Sequence, residues 1–229
     1  MNYIIFKGVN STDIDGLIIC ELPPITKPDM RVKENTVNGK DGATYDKLGY
    51  STYNKPVQIG LRGNFDIDKV IDYFNGEGEI VFSNEPDKVY MAHIFGKIDY
   101  TRLLRFRQAS IPFIVQPYKY KRFETATTIG TMPAEVINEG FVESRPVMTL
   151  RGSGVVSISL NGAYVFEYTF PDGETEVVID SEKEDAYLAD VLKNRNMNGE
   201  FPVLQPGTNI IEWTGDVQSI EILPRSRWL

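Results

Sequence analysis

The stretch VSISLNGAYVFEYTF, residues 156–170, decides how much apolar surface the second half of this chain must hide. Two alternating runs flank Asn161-Gly162, a dipeptide that favours a tight hairpin turn because both residues accept positive φ. Val156, Ile158 and Leu160 share one face of the first strand, with Ser157 and Ser159 on the other. Tyr164, Phe166, Tyr168 and Phe170 share one face of the second strand. Residues directly opposite on paired strands lie on the same side of a sheet. A two-residue loop pairs Leu160 with Ala163, Ser159 with Tyr164 and Ser157 with Phe166, which puts the aromatic column on the serine face, open to a sugar or a protein. A three-residue loop pairs Leu160 with Tyr164 and gathers every apolar group on one buried face. One residue of register separates the two outcomes.

Outward from this hairpin the second half reads as strand after strand, at 146–150, 155–160, 163–170, 175–180, 209–213 and 217–223. Asp172-Gly173 marks another hairpin turn, and Gly215-Asp216 is expected to turn the chain into its last strand. NGEFPVLQPGTNIIEWTG, residues 198–215, concentrates Gly, Pro and aromatic residues, and each has a backbone task. Pro202 forces Phe201 to be extended. Gln205-Pro206-Gly207-Thr208 fits a type II turn, with Pro fixing φ at the second position and Gly accepting positive φ at the third.

The first half is more varied. Strands are expected at 2–9 and 16–22, then a stiff connector at Pro23-Pro24 and Pro28. Residues 31–53 hold two turn dipeptides, Asn38-Gly39 and Asp41-Gly42, and little to bury. Such a hairpin is expected to project as an arm and to find its partner elsewhere. Val57, Ile59 and Leu61 alternate across a strand at 56–62. Asp66 caps a helix whose apolar face is Ile67, Val70, Ile71 and Phe74, ended by Asn75-Gly76. Further strands are expected at 79–83, 89–98 and 103–115. Arg102, Arg105 and Arg107, around the start of the last, would make a small basic stripe.

The 229 residues suit two domains, each able to bury its own core. Charge divides the same way. Residues 1–122 carry 17 Lys and Arg against 15 Asp and Glu, a net +2, while residues 123–229 carry 7 against 17, a net −10. The acidic half repels phosphates, so no sequence-specific nucleic-acid partner is expected. The N-terminal apolar run is only about four residues, too short for a signal segment, and no stretch reaches the roughly 18 apolar residues of a membrane span. A soluble product without a cleaved leader is expected. The boundaries read as 1–122, a linker at 123–132, and 133–229.

Chemistry is sparse. One cysteine and one histidine rule out an intrachain disulfide and any Cys/His zinc centre. Cys20 is expected to be a small buried hydrophobe, and His93 a satisfied structural histidine on the strand face it shares with Met91 and Phe95. Arg151-Gly152-Ser153-Gly154 lacks the following Lys-Ser/Thr and helix of a phosphate loop. The acidic run Asp180–Asp185 lacks the glycine and glutamate spacing of a calcium loop and reads as solvated. No catalytic residue, metal or cofactor is expected, and the chain is not read as an enzyme.

Four stretches together carry a resemblance: GEFPVLQPGTNIIEWTG at 199–215, VNGKDGATYDKLGY at 37–50, GEGEIVFSNEPDKVYMAHIFGKIDYTRLLRFRQASIPFIVQPYKY at 76–120, and VVIDSEKEDAY at 177–187. Their order and spacing resemble the distal tail proteins of long-tailed (siphovirus) bacteriophages of Gram-positive hosts. The resemblance implies a mainly β structural protein: an N-terminal ring-forming, tail-hub domain with one helix and a protruding β-hairpin arm, then a C-terminal galectin-like, jelly-roll β-sandwich. It implies a hexameric hub ring at the tail tip, able to stack as two rings. The ring would join the tail tube to the host-adsorption apparatus, with the tail-associated hub protein and receptor-binding protein as further partners. Such a protein would be made in the host cytoplasm and reside in the virion tail tip. Candidate ring-interface residues are Val37, Tyr45, Leu48, Tyr50, Tyr53, Arg102, Arg105 and Arg107. The alternative is a carbohydrate-binding module for a cell-wall saccharide, with Tyr164, Phe166, Tyr168 and Trp213 as its candidate ligand face.

Overall fold

The computed structural model describes residues 1–39 and 41–229, and the chain is mainly β. It divides into two compact units, Met1–Arg122 with Leu229, and Phe123–Trp228.

The first unit is built on β1 (Ile4–Phe6), β2 (Val9–Asn10), β3 (Leu17–Glu21), β4 (Met30–Asn35), β5 (Thr44–Tyr50), β6 (Tyr53–Leu61), α1 (Ile67–Tyr73), β7 (Gly76–Phe82), β8 (Lys88–Ile94), α2 (Tyr100–Phe106) and β9 (Gln108–Lys121). One antiparallel sheet runs in the order β2-β1-β7-β8-β9-β6-β3, and among the described residues β4 and β5 pair only with each other. Alternation explains the core: Ile4 and Phe6, Val57, Ile59 and Leu61, and Ile111, Phe113 and Val115 all point inward and are buried. Helix α1 closes over them with Val70, Tyr73 and Phe74, whereas Ile71 is partly exposed. Asp66 caps α1 as expected, its carboxylate accepting from the Asp68 and Lys69 amides. Gly76, at φ +85°, supplies the left-handed residue that follows.

Three expectations for this unit are corrected. Residues 103–115 do not form one strand: residues 100–106 are the helix α2, with Asp99 accepting from the Arg102 amide at its start. Leu103 of α2 is buried and Tyr100 packs partly on the same core, a face too short to stand apart from a strand. Cys20 is exposed on β3, because the strand is an edge and Cys20 lies on its outer side. Finally, β6 begins at Tyr53, which brings Lys55 onto the inward-facing parity with Val57 and Ile59.

The second unit contains β10 (Thr127–Ile129), β11 (Ala134–Asn138), β12 (Val147–Leu160), β13 (Ala163–Thr169), β14 (Glu176–Asp180), β15 (Asp185–Leu188), β16 (Val191–Leu192), β17 (Met197–Gly199) and β18 (Gly207–Leu223). The segment expected as a linker therefore includes a strand, and β10 pairs with β18. The strands expected at 146–150 and 155–160 are one strand, as are those at 209–213 and 217–223. Long β12 and β18 pair with each other through both their halves. The first half of β12 also pairs with β14, and its second half with β13. Both halves contribute to one core: Met148, Leu150, Val177, Ile179, Ile220 and Ile222 from one, and Val136, Val156, Ile158, Phe166, Ile211 and Trp213 from the other. The result is a β-sandwich whose two faces share a pair of bent strands.

The bend is written in glycine. A Cβ on Gly152 would lie 2.3 Å from the Asp216 carbonyl oxygen, and one on Gly215 (φ +95°) would lie 2.2 Å from that of Val155. Register slips there on both strands. Gly215-Asp216 is thus a bulge within β18 and not a turn, and Arg151–Gly154 is part of the same bend.

The hairpin register resolves in a third way. The Asn161-Gly162 loop has two residues, pairing Leu160 with Ala163 and Ser159 with Tyr164, but the next pair is Ile158 with Phe166. Val165 is left over as a bulge, which carries Phe166, Tyr168 and Phe170 onto the apolar face. Burying these three large aromatic side chains stabilises by about 2 kcal/mol or more each, against about 1 kcal/mol for a disturbed ladder bond, so burial decides the register.

Candidate functional site

Most of the surface follows from strand alternation. The β4–β5 hairpin does not. Val32 pairs with Lys47, Lys33 with Asp46, Glu34 with Tyr45 and Asn35 with Thr44. Local polar bonds hold it: Asn35 donates to the Asp46 carboxylate at 2.7 Å, and Arg31 donates to the Leu48 carbonyl at 3.0 Å across the irregularity at Gly49 (φ +98°). Gly39 and Gly42, both with positive φ, shape the turn, in which Lys40 lies outside the described residues. Its apolar residues stay uncovered: Val32 is 47% exposed, Val37 64%, Tyr45 58% and Leu48 55%. Among the described residues of this unit, those side chains find no core to enter.

The base of the hairpin is the opposite case. The Ser51 amide donates to the Asp29 carbonyl at 2.8 Å. Tyr50 packs edge-to-face on Tyr118, ring centres 6.1 Å apart, and the Lys27 ammonium lies 5.9 Å from the Tyr50 ring centre. In the connector that leads into β4, the Pro23 carbonyl accepts from Asn84 at 3.0 Å and the Pro24 carbonyl accepts from Lys55 at 3.1 Å.

Lys55 is 1% exposed. Its ammonium sits 4.9 Å from the Tyr90 ring centre and 5.6 Å from those of Tyr53 and Phe82. Glu85 lies beside this cage, taking the Lys119 ammonium at 2.6 Å on one oxygen and the Tyr90 hydroxyl on the other. Burial pushes the Lys55 ammonium below the usual lysine range, opposed by Glu85 and reinforced by Lys119. Burial and the Glu85 charge push the Tyr53 phenol up to about 12. This cluster escapes a sequence reading that starts the strand at residue 56. Its signal is a lysine in phase with Val57, Ile59 and Leu61.

The arginines are separated. Arg102 and Arg105 lie on α2, and Arg107 is its left-handed cap at φ +58°. Arg105 lies over Phe106 at 5.3 Å and Arg107 over Phe65 at 4.6 Å, so the expected strand-face stripe does not form. Nearby on the α2 surface, Leu104 and Phe106 are exposed. His93 has a partner at each ring nitrogen, Glu77 at 2.8 Å and Gln116 at 3.3 Å, and stacks on Phe95.

In the second unit the candidate ligand face is corrected. Phe166, Tyr168 and Trp213 are buried in the core, and Tyr164 alone of the four is exposed, donating its hydroxyl to the Asn198 carbonyl at 3.1 Å. The acidic run is not wholly solvated either. Asp180 is buried and takes a two-pronged ion pair from Arg225, at 2.6 and 3.0 Å. Among the described residues, no cluster of His, Cys, Asp or Glu is arranged to hold a metal ion, and no helix is long and apolar enough to cross a membrane.

The chain matches no family model and no curated protein. Solved structures do match. The SPP1 Dit protein, described as a paradigm of the hub adsorption apparatus in phages infecting Gram-positive hosts, superposes with a TM-score of 0.78 at 16% identity, over 100% of both chains. Chains of the phage P2 baseplate in its activated conformation superpose with TM-scores of 0.54 with calcium and 0.55 with strontium, each at 9% identity over 97% of both chains. From end to end, the chain has the fold of the SPP1 hub protein.

Proposed function

We propose that this chain is a structural component of a phage tail tip, in which six copies close into a hub ring that joins the tail tube to the host-adsorption apparatus. The observation that carries the reading is the β4–β5 hairpin: a well-formed element that leaves Val32, Val37, Tyr45 and Leu48 exposed among the described residues. Such a hairpin is completed by a neighbouring copy, and head-to-tail contacts that close make a ring. Val37, Tyr45 and Leu48 meet the neighbour in this reading, and Tyr50 and Tyr53 hold the root of the arm. The full-length likeness to the SPP1 hub protein supports the same role. The second unit is the galectin-like outer domain, free to carry other tail proteins such as a receptor-binding protein. The protein is made in the host cytoplasm, ends in the virion tail tip, and has no catalytic part.

Native mass spectrometry across a concentration range tests this. A dominant hexamer, or a dodecamer of two stacked rings, is expected. Deleting residues 32–52 should abolish the ring while the second unit keeps its unfolding transition. A ring that survives the deletion sinks the arm. The saccharide-binding alternative retains only Tyr164 of its proposed face, and a wall-binding assay with a Tyr164→Ala control is its test.

A further inference from the structure

A buried lysine is an expensive way to fill a core. Replacing a buried charge by an apolar side chain of similar volume is often neutral or stabilising. Lys55 is fully enclosed, yet the nearby carboxylate of Glu85 is already engaged by Lys119 and Tyr90. Its ammonium donates to a backbone carbonyl, that of Pro24, in the short connector between β3 and the hairpin. Asn84 grips the preceding carbonyl, that of Pro23. Pro23 and Pro28 are buried at either end, and Ile25 between them is 59% exposed. Prolines carry no amide hydrogen, so this connector cannot be tied down by its own donors at three of its positions. It is held through its carbonyls by donors from the body of the unit.

We propose that Lys55 is the positioning residue of the arm: caged by Tyr53, Phe82 and Tyr90, its ammonium holds the Pro24 carbonyl and so fixes the direction in which the β4–β5 hairpin leaves the sheet. The cage aims the ammonium, since three ring faces favour a cation at one point. Asn84 is the second grip. The ring contact of Tyr50 with Tyr118 and the Asp29–Ser51 bond complete the mounting at the other strand. A pre-aimed arm meets its seat on a neighbouring copy without paying ordering entropy at that moment. The role in assembly rests on the hairpin being an assembly arm; the clamp itself does not.

The test separates the two. In a Cys20→Ser background, spin labels at Lys47→Cys on β5 and Asp72→Cys on α1 report the arm-to-body distance by pulsed electron resonance, at a dilution where native mass spectrometry finds monomer. A narrow distance distribution is expected for the parent protein. Lys55→Met should broaden it at least twofold with the thermal transition retained. Leu103→Ala, a truncation of a buried side chain on α2, should leave it narrow. Asn84→Ala should broaden it in the same direction and serves if Lys55→Met does not fold. A distribution that stays narrow in the folded variant overturns the clamp. At higher concentration, Lys55→Met should raise the protein concentration needed for assembly by about tenfold. Broadening with no such rise keeps the clamp and counts against the arm as an assembly element.

Discussion

Asp180 shows how much a single side chain can organise. It ends β14, accepts from the backbone amides of Glu182 and Lys183, and takes both guanidinium nitrogens of Arg225, 45 residues away. Burial alone would raise its pKa, but the Arg225 hydrogen bond and charge, with the two amides, overcome this and hold the carboxyl below its ordinary value of 3.8. The unfolded chain then binds a proton more readily than the folded one. The stabilisation is therefore complete above that ordinary value and is lost as the pH falls through the lower folded value. Asp180→Ala should cost about 3 kcal/mol of the second unit's stability, because it removes the buried carboxylate that holds Arg225 and two backbone amides, and should flatten the acid limb of its pH profile. Urea unfolding monitored by the fluorescence of Trp213 and Trp228, both in this unit, measures both, and an unchanged midpoint would show that the pair is ornamental. At this scale the sequence was only half legible. The acidic run reads as a solvated loop because nothing near it in sequence announces Arg225. Lys55 was legible in principle, since it keeps step with Val57 and Ile59, but Pro56 looks like the start of a strand and hides it.

Among the elements, the long strands misled for a physical reason. In β18 the buried positions run Asn209, Ile211 and Trp213, then Ile220 and Ile222. The change of parity around a Gly-Asp pair looks the same in sequence whether the chain turns back or bulges onward. Space tells them apart: only glycine lets β12 and β18 come within reach at Gly152 and Gly215. Gly215→Ala should therefore cost about 3 kcal/mol, from a forced backbone clash at positive φ. Gly154→Ala, at φ +67° with open space around it, should cost only about 1 kcal/mol. Equal costs for the two in denaturant unfolding would refute the bend as described. Helix α2 was hidden by its brevity. Tyr100, Leu103 and Leu104 give it a single i, i+3, i+4 step, and with Arg107 where a glycine stop is usual, seven residues offer no second repeat and no end signal. By contrast, α1 was plain, because Asp66 and a repeated apolar face announce it together. The hairpin at 31–53 was legible by what it lacks, residues to bury.

For the whole molecule, each unit has its own cluster of buried apolar residues, from Ile4 to Val115 in one and from Ala134 to Ile222 in the other. A segment of 123–229 expressed alone should fold cooperatively, with a urea midpoint close to that of the same unit in the full chain. A molten segment with no cooperative transition would mean that the division by buried cores is not a division by stability.

The strands that run through both faces of the second unit also set how it would carry a load. In a sandwich of two separate sheets, a pull applied to one face reaches the other only through side chains that can slide. Here β12 and β18 cross the bend as unbroken covalent chain, laddered to each other on both sides of it. Tension entering at one face passes along the backbone itself to the other, so the two layers cannot shear apart while that ladder holds.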